Sequence, residues 1–188
     1  ENIWVQPAAG DAGGSLGAAL AYWHQELNNK RTVNLEDSMN GSYLGPKYEN
    51  NIIEKELELL KADFKKLNEN EIVDVLAKEL SEEKTVGWFQ GRMEFGPRAL
   101  GGRSILADPR SAKMQKELNL KVKFRESFRP FAPSILAEEV GNWFEMNEPS
   151  PYMLLVANIK KENQIAMNFN QENLFGIEKL NIKRSEIP

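Results

Sequence analysis

The side chains best suited to chemistry lie between Trp88 and Leu136, in WFQGRMEFGPRALGGRSILADPR and, further on, FRESFRPFAPSIL. Arg92 to Arg129 holds ten basic residues (Arg92, Arg98, Arg103, Arg110, Lys113, Lys116, Lys121, Lys123, Arg125, Arg129) against four acidic ones (Glu94, Asp108, Glu117, Glu126). Six of the chain's eight arginines fall in this span. The net charge is −4, so a surplus of six positive charges here leaves −10 for the remainder. A guanidinium offers paired donors that match phosphate or carboxylate oxygens, and it stays charged at any relevant pH. Gly91, Gly96, Gly101 and Gly102 stand between the arginines, where tight turns can bring backbone N–H groups to the same anion. The chemistry implied is binding of a phosphate-bearing ligand, which such a site attracts even on an acidic protein. The competing reading pairs the arginines with acids on neighbouring acidic helices. Of the aromatics Trp88, Phe89, Phe95, Phe124, Phe128 and Phe131, most are expected in the core, with one or two free to flank a purine.

Other candidates are weaker. AGDAGG (residues 9–14) reads as a strand-to-helix turn, as a phosphate approach at a helix N-terminus, or with Asp11 as a metal ligand. His24 is the single histidine and reads as structural. No Walker A motif, GxSxG or Ser/His/Asp set is present. With no cysteines there is neither a disulfide nor a thiolate metal cluster, which fits a reducing cytoplasm. A pI near 5.3 argues against a generic nucleic-acid or anionic-membrane binder. No apolar run approaches the roughly 20 residues that span a bilayer, and no basic-then-apolar leader opens the chain.

The elements that must position these residues read as a mixture of helices and strands, an α/β or α+β class. A short strand over Ile3–Val5 precedes a helix that Ser15 caps and that runs through about residue 28. Residues 28–48 have a linker's composition, and two acidic helices follow at about 49–67 and 69–80. Residues 85–91 read as a strand. GPRALGGRSILADP reads as a turn, a short helix and a strand over Ser104–Ala107. A helix opens at Ser111 and runs to about Leu118. Further strands are expected at 130–139 and 151–159, with a short helix at 139–146 between them. The tail from 160 to 188 is expected to be loosely ordered. The opening at Glu1 and the ending after SEIP read as those of a piece of a longer protein.

GRMEFGPRALGGRSILADPR followed by KFRESFRPFAPSIL closely resembles the C-terminal part of the O-carbamoyltransferases of nodulation-factor and antibiotic biosynthesis. PAAGDAGGSLGAAL and SYLGP, upstream and in that order, resemble the same family, so the likeness covers residues about 4–157. It implies a YrdC-like twisted mixed sheet with flanking helices over 48–188, truncated at its C-terminus. A linker over 29–47 and the last strand and helix of an actin-like (ASKHA) domain over 1–28 would precede it. It implies a domain that uses ATP, with Mg, and carbamoyl phosphate to make carbamoyl-adenylate, releasing pyrophosphate. The carbamoyl group then passes to a hydroxyl in the actin-like domain, at an iron-type metal site. Asp11 would be a ligand of that metal, its two histidine ligands lying upstream of this chain. Arg92, Arg98, Arg103, Ser104, Lys123, Arg125 and Arg129 match the family's site positions. Arg98, Arg103 and Ser104 are expected to hold phosphate oxygens, while Lys123, Arg125 and Arg129 neutralise charge developing at the reacting centre. Glu94 and Glu126 are expected to orient arginines rather than act as bases. The partners expected are the nucleotide, carbamoyl phosphate and the absent actin-like domain, with no membrane. The rival readings are a YrdC-like RNA-binding module, which basic and aromatic side chains suit, and a non-catalytic docking module.

Overall fold

The computed structural model describes residues 5–180 and 182–185, so most of the strand expected at Ile3–Val5 lies outside the described residues. The architecture is mixed α/β, with one two-stranded sheet among several helices. Two compact units share the chain discontinuously. The first comprises Glu1–Leu67, Gly87–Ser104 and Ser150–Leu155; the second comprises Asn68–Val86, Ile105–Pro149 and Val156–Pro188. No helix of the described residues is long and apolar enough to cross a membrane.

In the first unit, helix α1 spans Asp11–Ala21 and continues as a π-helical turn over Tyr22–Glu26. It starts four residues before the expected cap. Ser15 lies inside the helix, where its Oγ donates to the Ala12 carbonyl at 2.9 Å. Asn28 takes a left-handed φ of 54° and ends the helix, as asparagine does readily. His24 Nδ1 lies 2.8 Å from the Asn29 carbonyl, which fits its structural reading. Helix α2 covers Asn50–Leu59 rather than running to 67. Lys61 turns left-handed at φ 52°, and the Ala62 N–H closes back on the Leu57 carbonyl at 3.0 Å.

Upstream of α2, Asp37 accepts from the N–H groups of Met39 (3.0 Å) and Gly41 (2.9 Å) and from the Tyr152 hydroxyl. The Tyr152 hydroxyl also accepts the Gly41 N–H at 3.1 Å. The Tyr152 and Gly41 donors hold the Asp37 carboxyl below its ordinary value, while burial and Asp37 push Tyr152 up to about 12.

In the second unit, α3 runs Glu69–Ser81, close to expectation, because Asn68 and Glu71 form a reciprocal capping box. Strands β1 (Val86–Phe89) and β2 (Arg103–Leu106) pair; Gly87–Phe89, Arg103 and Ser104 are counted in the first unit, as is the segment between the strands, which bends without the expected short helix. Helix α4 (Met114–Glu117) passes into a π-helical turn, Leu118–Val122. Met114, Leu118 and Val140 are the buried hydrophobic side chains among the described residues. Helix α5 (Val140–Trp143) occurs where a short helix was expected.

The strands expected at 130–139 and 151–159 are not formed. Pro130 and Pro133 supply no N–H donor to a ladder. The second run makes a single bridge, Phe144 to Ile159, and Val156 is almost wholly exposed. Without a neighbouring strand, an apolar run has nothing to pair with. The tail carries more structure than expected: α6 (Phe169–Glu172), set by an Asn168–Gln171 capping box, and α7 (Ile177–Leu180).

Candidate functional site

The predicted residues fall in both units, and each group is described by itself. In the first unit, the segment joining β1 to β2 is organised by one carboxylate. Glu94 Oε1 accepts the N–H groups of Leu100 (2.9 Å), Gly102 (2.6 Å) and Arg103 (3.1 Å). The glycine-rich turn does form an amide cradle, but the anion in it is the protein's own. Ser104 Oγ accepts the remaining Gly101 N–H at 3.0 Å. Gly101 holds φ 109°, a conformation that side chains rarely adopt.

Partial burial would raise the Glu94 pKa, yet its own N–H and those of Leu100, Gly102 and Arg103 outweigh it and leave the carboxyl below its ordinary value. A depressed carboxyl stabilises the fold above the unfolded value, about 4.3, and that stabilisation is lost as pH falls through the folded value. The amide-proton shifts of Gly102 and Arg103 are therefore expected to titrate together, with a midpoint below the ordinary glutamate value. A midpoint at or above that value would contradict the cradle.

Arg103 turns inward. Its guanidinium lies 3.3 Å from the Phe89 ring centroid and donates to the carbonyls of Gln90 (3.0 Å), Gly91 (3.1 Å) and Gly102 (2.7 Å). Arg92 donates to the Gly45 carbonyl at 2.9 Å. Arg98 is exposed and has no side-chain partner among the described residues.

In the second unit, Asn119 is fully buried. Its Nδ2 donates to the carbonyls of Ser127 (3.1 Å) and Arg129 (2.8 Å), and its Oδ1 accepts from Arg125 Nε at 2.5 Å. Gln115, one turn earlier, donates to the carbonyls of Phe128 (3.3 Å) and Arg129 (3.1 Å). One face of the α4 segment thus grips the turn that carries Arg125 and Arg129. The Arg125 guanidinium also lies 4.9 Å from the Phe131 ring centroid. Arg129 pairs with Glu126 at 2.7 Å, the orienting role expected of that glutamate. Lys123 has no side-chain partner among the described residues.

Basic residues of the cluster form ion pairs, but with acids outside the two acidic helices of the competing reading. Arg110 pairs with Asp108, Lys113 with Glu83, and Lys121 with Glu117. The aromatics are less buried than expected: Phe89 and Phe131 lie against guanidinium groups, and Phe124 is 85% exposed. An open hollow of about 270 Å³ has Ile135, Trp143 and Phe144 in its walls and Asp108 and Arg110 at its polar edge.

Asp11 is exposed at the first turn of α1. Among the described residues, no three His, Cys, Asp or Glu side chains gather to hold a metal. Asp11 offers one carboxylate.

Sequence reasoning missed Asn119, Gln115 and Tyr43. The available signal for Asn119 was an amide between Leu118 and Leu120 in a helical segment, since a buried amide must find partners.

The model of the family described as Carbamoyltransferase C-terminus matches residues 77–176, which include both basic groups. The chain belongs to the carbamoyltransferase C-terminus family. An uncharacterized protein of Synechocystis is 56% identical over 190 residues, covering 100% of this chain and 31% of the relative. Nodulation protein NolO of Bradyrhizobium diazoefficiens is 40% identical over 181 residues, covering 86% of this chain and 29% of the relative. Nodulation protein NolNO of Sinorhizobium fredii is 37% identical over 167 residues, with 87% and 24% covered. The chain thus spans less than a third of the length of these relatives.

Proposed function

We propose that this chain is the adenylate-forming part of an O-carbamoyltransferase, with a YrdC-like fold over residues 48–188. It binds ATP and carbamoyl phosphate: water releases inorganic phosphate from carbamoyl phosphate, and the carbamate left attacks the α-phosphate of ATP, giving carbamoyl-adenylate and pyrophosphate. Transfer to a hydroxyl belongs to the part of such enzymes that this chain does not match. The observation that carries the reading is Arg98: an exposed guanidinium without a partner among the described residues, on a backbone braced by Glu94, inside the matched family segment.

In the first unit, Arg98 takes phosphate oxygens with the donors it has free. Ser104 and Arg92 support it, and Arg103 chiefly shapes the turn through its carbonyl contacts. In the second unit, Lys123, Arg125 and Arg129 neutralise charge that builds up as the α-phosphate is attacked. No step is assigned to Asp11.

Calorimetry tests the reading. The chain is expected to bind ATP, and Arg98→Ala or Arg129→Ala to weaken binding by at least about tenfold, as loss of a charge-assisted contact does. Affinity for ATP no better than for sulfate would remove the nucleotide from the proposal.

A further inference from the structure

We propose that Tyr43, in the SYLGP segment, is a positioning residue that sets Arg98 for its anionic ligand. The proposal rests on the reading that Arg98 binds a phosphate group of ATP. Tyr43 is half-buried, and its hydroxyl donates to the Leu100 carbonyl at 2.5 Å. The same hydroxyl lies 3.2 Å from where a Cβ would stand at Gly101, whose φ of 109° already disfavours a side chain. Leu100 is thus held on both sides, its carbonyl by Tyr43 and its N–H by Glu94.

The rest of SYLGP is laced to the same segment. The Gly45 N–H donates to the Met93 carbonyl at 2.9 Å, and the Met93 N–H to the Pro46 carbonyl at 3.0 Å. The Phe95 N–H donates to the Ser42 carbonyl at 2.6 Å. These contacts secure the chain before Arg98, while Tyr43 and Glu94 secure it after. Because no described side chain holds the Arg98 guanidinium, its aim depends on that backbone and on Pro97, whose ring restricts φ just before it. A hydroxyl that removes alternative backbone states lowers the ordering cost that a ligand would otherwise meet.

Burial and the nearby Glu94 charge raise the Tyr43 pKa, so the hydroxyl keeps its proton well into the alkaline range.

The test is Tyr43→Phe in the full chain, which keeps the ring and removes only the hydroxyl. Tyr48→Phe, at an exposed tyrosine, is the control. Amide exchange at Gly101, Gly102 and Arg103 is read without ligand, and ATP affinity by calorimetry. Tyr43→Phe is expected to leave the melting temperature within a few degrees of the parent. It should speed exchange at those amides and weaken ATP binding, each by about tenfold, the equivalent of one ordinary hydrogen bond. In an Arg98→Ala background it should weaken ATP binding no further, since coupled residues do not add.

Unchanged exchange overturns the brace. Unchanged ATP affinity, or an undiminished effect in the Arg98→Ala background, overturns its connection to Arg98. If the unsubstituted chain fails to bind ATP, the proposed function falls, and the ligand-free exchange measurement still decides the brace by itself.

Discussion

Replacing Asn119 with leucine is expected to cost about 2–4 kcal/mol of stability, the largest single effect among the site residues. The two side chains are close in size, so the loss is not a cavity effect. Asn119 is fully buried and serves three partners at once: two carbonyls of the 127–129 turn and the Nε of Arg125. Leucine leaves all three to find water or do without, and an abandoned polar group costs more than a hydrogen bond contributes. Urea unfolding of the chain would show the midpoint falling with little change in slope. Asn119→Asp separates geometry from charge. A carboxylate there would still accept from Arg125 but would face two carbonyl oxygens, so it should destabilise as well, and most at neutral pH. A leucine variant as stable as the parent would mean that Gln115 alone holds the turn.

The second large effect is expected at Glu94. Glu94→Gln keeps the shape but removes the charge that three N–H groups share, reducing charge-assisted bonds to ordinary ones. The expected result is a loss of about 2 kcal/mol, together with at least about tenfold weaker ATP binding. The substitution should also abolish the low-pH titration of the Gly102 and Arg103 amides, because no carboxyl remains to protonate. If Glu94 acted instead as a base towards the ligand, the glutamine variant would bind ATP as tightly as the parent and fail only in pyrophosphate release. Affinity and turnover, measured side by side, distinguish the two roles.

What was legible in the sequence was what local chemistry decides. The capping box at Asn68 sets α3, bulky residues mark β1, and the segregation of charge marks the basic stretch that the family match includes. What was not legible depends on contacts across the chain. Glycines between arginines correctly suggested backbone amides around an anion, but nothing local says that Glu94 fills that place. The apolar run 151–159 has a strand's composition, yet a strand exists only with a partner, and here one bridge forms. Ser15 resembled a helix cap because small residues precede it, whereas the helix starts earlier, at Asp11. Nothing local in the sequence singled out Tyr43 or Asn119. Their importance comes from carbonyls that turns bring to them.

The bond between Tyr152 and Asp37 joins residues 115 apart, and the first unit draws on three separate stretches of chain. Order of synthesis therefore matters. A ribosome delivers Asp37 and its turn long before Tyr152, and it delivers most of the second unit's sequence in between. The first unit cannot close as it emerges but must wait for its last stretch, with the entropic cost of a long loop to meet. Stopping the chain anywhere before residue 155 would leave both units incomplete, so neither can be trimmed free by a single cut.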